Sequence, residues 1–328
     1  MTGSALKERF IGTIVGCAVG DALGAPFEGV RANRLWQDDL SPDYLRLPGL
    51  PRGQYTDDTQ MTLAIIKAIL RDGAVNGATV ADEFAELWRS GEIVGPGASC
   101  SEAMWRYIRC GTAWHECGTE RGRAGNGTAM RASPIGLWDY DESEQLVQDA
   151  TAVSIITHKD ERAVAGATAV ALAVAYLVKR DEIVTEDLIR DVSHGISDKS
   201  AQFGRAIEKL PGLLRTPEAD AVRAIINEGW KGHDPSFGVT PFVIPTVLAS
   251  LYAFLRYPRD FSAAVTKVIN MGGDVDSTAS ITGAISGAFN GVRAIPQHLR
   301  EEVEDSRIIH DLACKLFHKK MELQEATN

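Results

Sequence analysis

Apolar positions recur three and four residues apart along most of the chain, the spacing of one face of an α-helix. Met61, Ile65 and Ile69 share such a face with Ala64 and Ala68 beside them, and Phe261, Ala264, Val265 and Val268 form another. Ala163, Val164, Ala167, Val170, Ala171, Val174 and Leu177 trace a broader one. The same reading predicts helices over 5–24, 78–89, 100–110, 184–194, 200–209, 216–229, 241–256, 258–270, 281–291 and 297–319. Alternation of period two is almost absent, so an all-α fold is expected. No linker or fixed-period repeat divides the chain, and residues 1–328 read as a single domain. Residues 30–54, with Pro42, Pro48 and Pro51, break the pattern and are expected to form a covering loop.

Two of these helices carry glycine where glycine is costly. Gly12, Gly16, Gly20 and Gly24 stand four apart in the first, and Ala279, Gly283, Gly287 and Gly291 in the late one. Each interior glycine costs about 1 kcal/mol against alanine. Spacing of four keeps them on one stripe, so the two helices are expected to pack backbone to backbone at the centre of the fold. Asp21 lies near that stripe and is expected to orient a neighbouring loop or ligand. Glu28 follows on a turn marked by Pro26 and Gly29.

The late helix is entered through Asn270-Met-Gly-Gly-Asp-Val-Asp-Ser-Thr278. One aspartate at a helix start is an ordinary cap. Asp274, Asp276 and the Ser277 hydroxyl together ask for more positive charge than a helix end supplies, and a hard divalent cation fits. Tyr55-Thr56-Asp57-Asp58-Thr59 repeats the theme before another helical segment. Four carboxylates brought together without cations would repel strongly, so the clusters are read as two halves of one metal site.

Composition narrows the setting. With 34 Lys and Arg against 44 Asp and Glu the formal net charge is −10, and no basic block occurs, which argues against a nucleic-acid partner. An anionic ligand would need local positive charge from metals or helix ends. Five cysteines without zinc spacing suit a reducing compartment. No uninterrupted apolar run reaches about 18–20 residues, so a soluble, cytoplasmic protein without membrane contact is expected. The Gly125-Asn126-Gly127 turn is read as opening a helix and offering N–H groups to a phosphate or ribose, with His158 at another helix entrance.

Taken together, GDALGAPFE, YTDDTQM, GNGTAMR, THKD and GGDVDST, in that order from residue 16 to residue 291, resemble the ADP-ribosylglycohydrolase family of the dinitrogenase-reductase-activating type. The resemblance implies a compact all-α fold around two Mg²⁺ or Mn²⁺ ions. By that likeness Thr56, Asp57 and Asp58 bind one metal, Asp276 bridges both, and Asp274 and Ser277 bind the second. The family commonly has Thr where Ser277 stands, and Thr278 is a possible substitute ligand. Glu28, Asp58 and Asp276 are the expected catalytic positions, and Asp21, Gly125, Asn126, Gly127, Met130 and His158 the expected substrate-binding ones. The implied reaction frees ADP-ribose from a modified protein side chain, arginine being the first choice of acceptor and the chain a monomer. Alternatives are a serine-linked or small-molecule conjugate, or a non-catalytic ADP-ribose-binding module. Residues 91–123 are expected to meet the acceptor, with Glu92, Glu102 or Glu116 as partners for a guanidinium.

Overall fold

Helix α1 (Gly3–Gly24) is apolar on all sides, and from Phe10 onward every residue of it is buried. A helix of that kind has to run through the interior. The computed structural model describes residues 3–31, 42–45, 51–229 and 232–327, so the expected covering loop at 30–54 lies largely outside the described residues. Along the chain follow α2 (Asp57–Asp72), α3 (Gly77–Ser90), α4 (Ala98–Cys110), α5 (Ser133–Trp138) and α6 (Ser143–Ile155). Then come α7 (Glu161–Val178), α8 (Thr185–Ser197), α9 (Ala201–Ile207), α10 (Leu210–Leu213) and α11 (Glu218–Ile226). The chain closes with α12 (Val243–Arg256), α13 (Phe261–Ile269), α14 (Val275–Asn290), α15 (Gln297–Glu302) and α16 (Ser306–Thr327). No strand occurs among the described residues, only isolated bridges such as Thr119–His158, Gly125–Phe242 and Val239–Gly273. The expected all-α class holds.

The glycine stripes meet as expected. A Cβ at Gly12 would lie 2.6 Å from the Gly287 carbonyl oxygen, and Gly16 faces Gly283 and Gly20 faces Ala279 in the same antiparallel register. Gly24 continues it onto the first turn of α14, where a Cβ would sit 2.5 Å from the Asp276 Cα. This register carries the loop after α1 to the start of α14. Helix α14 also packs on α7, α12 and α13, while α16 and α2 close the other side of α1.

The structure differs from the periodic reading at three points. Helix α14 begins at Val275 rather than 281, because Gly272 and Gly273 (φ 71° and 88°) turn the chain sharply and leave Asp274 at the N-cap. Asp276 and Ser277 therefore stand in its first turn. The stretch 297–319 breaks at Asp305, the one non-glycine residue at positive φ among the described residues. That break is used: Asp305 accepts from the Tyr55 hydroxyl at 2.9 Å and Glu304 N–H donates to the Gly53 carbonyl at 2.9 Å, fixing the approach to α2. Helices α5 and α6, and the single turn of α10, fall outside the expected set. The first is too short to show a period, and Asp149 interrupts the buried face of the second.

Asp149 also defines a test of stability. Burial and the neighbouring Asp149 carboxylate push Asp139, at the end of α5, up to about 8. The folded state holds this proton more tightly than the unfolded chain. The stability it contributes is complete below about pH 4 and is lost by about pH 8. Asp139→Asn is expected to remove that decline, so its melting temperature should gain on the parent between pH 5 and pH 8.5; parallel curves would refute it.

Among the described residues two helical stretches, Gly3–Phe27 (α1 and the turn after it) and α7, are long and apolar enough by composition to cross a membrane, and 83% of each such window is buried inside the fold.

Candidate active site

The sharp turn before α14 is clamped from both sides. Val239 N–H donates to the Gly272 carbonyl and Asp274 N–H to the Val239 carbonyl, both at 2.9 Å. From the other side, Gly29 N–H donates to the Gly273 carbonyl at 2.8 Å, and Gly273 N–H to the Val30 carbonyl at 3.0 Å. The loop after α1 is thereby stitched to the late motif. Carboxylate oxygens of Glu28, Asp274 and Asp276 lie within 4.8 Å of one another. Burial, then the Asp274 charge, raises the Glu28 carboxyl above its ordinary range.

The early motif comes to the same place. Thr56 is the N-cap of α2, and Asp57 and Asp58 are its first two residues. Ser277 Oγ donates to Asp58 Oδ2 at 3.3 Å, joining the start of α14 to the start of α2. Asp57, Asp58 and Asp276 are buried and pushed well above the carboxylate range, by burial first and by one another and their acidic neighbours second. Asp57 Oδ2, Asp58 Oδ1 and Asp276 Oδ1 are buried without a hydrogen-bond partner. Buried carboxylate oxygens without a partner are donors for a hard cation. Thr278 is no substitute for Ser277: its hydroxyl donates back to the Asp274 carbonyl at 3.1 Å inside the helix, whereas Ser277 lines the cleft.

Asp21 takes a different place from the substrate-binding one expected. It is fully buried, and its carboxylate accepts from Thr56 N–H and Oγ and from Thr59 N–H and Oγ at 2.6 to 3.1 Å. Burial raises it to about 6, with these donors pulling the other way. Asp21 holds the Thr56-Asp57-Asp58 turn rather than a ligand. Thr56, with its proton given to Asp21 at 2.9 Å, presents only oxygen lone pairs elsewhere.

A cleft of about 1260 Å³ opens from this cluster. Glu28, Asp57, Asp58, Gly125, Asn126, Gly127, Met130, His158, Asp274 and Ser277 all line it, so the expected positions other than Asp21, Thr56 and Asp276 reach its wall directly. Asn126 donates from Nδ2 to Asp274 Oδ2 at 2.6 Å and to Thr246 Oγ at 3.1 Å, so its amide nitrogen secures the late motif. The Gly-Asn-Gly segment does not open a helix at once; a turn follows and α5 starts at Ser133. From 91–123 the wall takes Gly95, Gly97, Ser99, Cys100 and Arg123. Of the three carboxylates expected there for a guanidinium, Glu102 is engaged by Arg106 and Arg123, and neither Glu92 nor Glu116 lines the cleft. Sequence reasoning missed Arg131, whose guanidinium is completely buried behind the cleft although it ends the GNGTAMR motif, and Thr157 beside it.

A helical scaffold thus gathers four aspartates and a glutamate at one cleft, the setting of a hydrolase site for a polar substrate. The chain belongs to the ADP-ribosylglycohydrolase family, whose model matches residues 2–326, and the enzyme is accordingly a hydrolase of glycosidic bonds. It is 27% identical to the ADP-ribosyl-[dinitrogen reductase] glycohydrolase of Rhodospirillum rubrum, over 90% of each chain. It is 24% identical to the ADP-ribosylarginine hydrolase Tri1 of Serratia proteamaculans, over 95% of this chain and 79% of the relative. A solved ADP-ribosylglycohydrolase-related protein complex superposes with a TM-score of 0.76 at 25% identity, covering 97% of this chain and 99% of the other.

Proposed function

We propose that this enzyme releases ADP-ribose from arginine side chains of a modified protein, acting as a cytoplasmic monomer. The observation that carries the reading is the meeting of Glu28 with Asp274 and Asp276 at a cleft that Asp57 and Asp58 also line, with buried oxygens of Asp57, Asp58 and Asp276 lacking partners. The relatives named for protein-linked and arginine-linked ADP-ribose support the choice of acceptor. Five unpaired cysteines support the reducing compartment.

Thr56, Asp57, Asp58, Asp274, Asp276 and Ser277 are the residues that would hold two Mg²⁺ or Mn²⁺ ions, which when bound offset the carboxylate charge and polarise the ribose hydroxyls and a water. The bond broken joins C1″ of the ribose to a guanidinium nitrogen. Water delivers its oxygen to C1″ and a proton to the leaving nitrogen, through an oxocarbenium-like transition state. Glu28, open to the cleft and raised above its ordinary range by burial and the Asp274 charge, carries that proton between the two. The Gly125–Gly127 turn and His158 hold the diphosphate end.

Glu28→Gln is expected to retain its metal content and lose at least about 100-fold in ADP-ribose release. Undiminished turnover would remove Glu28 from the proton-transfer role. Comparing an arginine-modified protein with a serine-modified peptide, each with Mg²⁺, Mn²⁺ or a chelator, tests acceptor and metal together. Metal-dependent release from the serine peptide alone would overturn the arginine assignment.

A further inference from the structure

Behind the cleft wall two side chains that the hydrolytic scheme leaves unused, Arg131 and Thr157, lead to His158. Arg131 is completely buried, with its guanidinium carbon 4.6 Å from the centre of the Phe84 ring. Its Nη2 donates to Thr157 Oγ at 2.6 Å, and Thr157 Oγ lies 2.9 Å from His158 Nδ1. His158 is itself buried, yet it lines the cleft. Its Nε2 has no hydrogen bond to any described residue.

The proton positions in this chain follow from what each group can do. A guanidinium only donates, so Thr157 Oγ must accept from Arg131. Thr157 is fully buried and cannot turn its own proton to water. Two acceptors are within reach, the His158 ring nitrogen and the Cys100 sulfur. Imidazole nitrogen is a far better acceptor than a thiol. Nδ1 is then the acceptor, and the single proton of a neutral imidazole sits on Nε2. Burial and the Arg131 charge push the ring down to about 3, so it is neutral at physiological pH. The Nε2 edge is open because its neighbours are glycines: a Cβ would lie 3.1 Å from Nε2 at Gly125 and 3.0 Å from Cε1 at Gly127.

We propose that Arg131 and Thr157 are positioning residues that lock His158 as a neutral Nε2–H donor aimed into the cleft, matched to an anionic oxygen of the ADP-ribose diphosphate. The ligand half of this rests on the function proposed above; the tautomer half does not. Arg131 supplies positive potential behind the ring while its charge stays out of water, and Thr157 passes the orientation on. Such an arrangement favours a phosphate oxygen, which accepts, over an ammonium or guanidinium group, which cannot.

The test separates the two halves. Nitrogen-15 NMR of the imidazole rings in the full-length protein, with His158→Gln to assign the resonance, reads the tautomer directly. The parent is expected to show Nε2–H at His158, Thr157→Ser to keep it, and Thr157→Val to lose it. Calorimetry should show ADP-ribose binding about tenfold weaker in Thr157→Val and within about twofold in Thr157→Ser. An Nδ1–H tautomer in the parent overturns the proposal even where Thr157→Val fails to fold, and so does an unchanged tautomer in a folded Thr157→Val. The expected tautomers together with no ADP-ribose binding by the parent would uphold the relay and overturn the ligand.

Discussion

Gly283→Ala is expected to destabilise the protein strongly although it adds a single methyl group. At Gly283 the new carbon would drive into the Gly16 peptide, lying 2.8 Å from its carbonyl carbon and closer still to the oxygen. What must yield is backbone, since both partners are helices buried on every side. Forcing α1 and α14 apart also strains the register that seats Gly24 on the first turn of α14. A cost of about 3 kcal/mol or more follows, seen as a fall in melting temperature on the order of 10 °C. Gly212→Ala is the control, because no atom lies within 4 Å of its added carbon. Equal melting temperatures for the two variants would show that the stripes are not held in close contact.

Asp58→Asn should have the opposite signature, less activity and more stability. Asp58 is buried among Asp21, Asp276, Asp57 and Asp274, and one of its oxygens has no partner. Without a cation that environment opposes folding, and an amide removes both the charge and the repulsion. In chelator the variant is expected to melt several degrees above the parent. Adding Mg²⁺ or Mn²⁺ should then raise the parent, by about 2.7 kcal/mol at a hundredfold excess over the dissociation constant, and leave the variant nearly unmoved. ADP-ribose release should fall by about a thousandfold or more. A parent whose melting temperature ignores both cations would sink the metal assignment.

Much of this was legible in the chain. Helical spacing alone determined the all-α class, because the face of a helix is written in residues three and four apart. The glycine stripes predicted the α1–α14 contact, since four costly glycines in one helix need a close neighbour. Both aspartate motifs could be paired because neither needs its charge as a cap. Tertiary structure alone decided which groups meet. Glu28 reaches Asp274 and Asp276 through the antiparallel register of two helices some 250 residues apart in sequence. Asp21 proved to hold the Thr56–Thr59 turn, 35 to 38 residues away, a role that spacing cannot separate from ligand binding. Asn126 is spent on Asp274 across 148 residues, and Arg131 finds Thr157 across 26. Hydrogen-bond partners of buried polar groups are chosen by packing between distant segments, and local pattern carries no record of that choice.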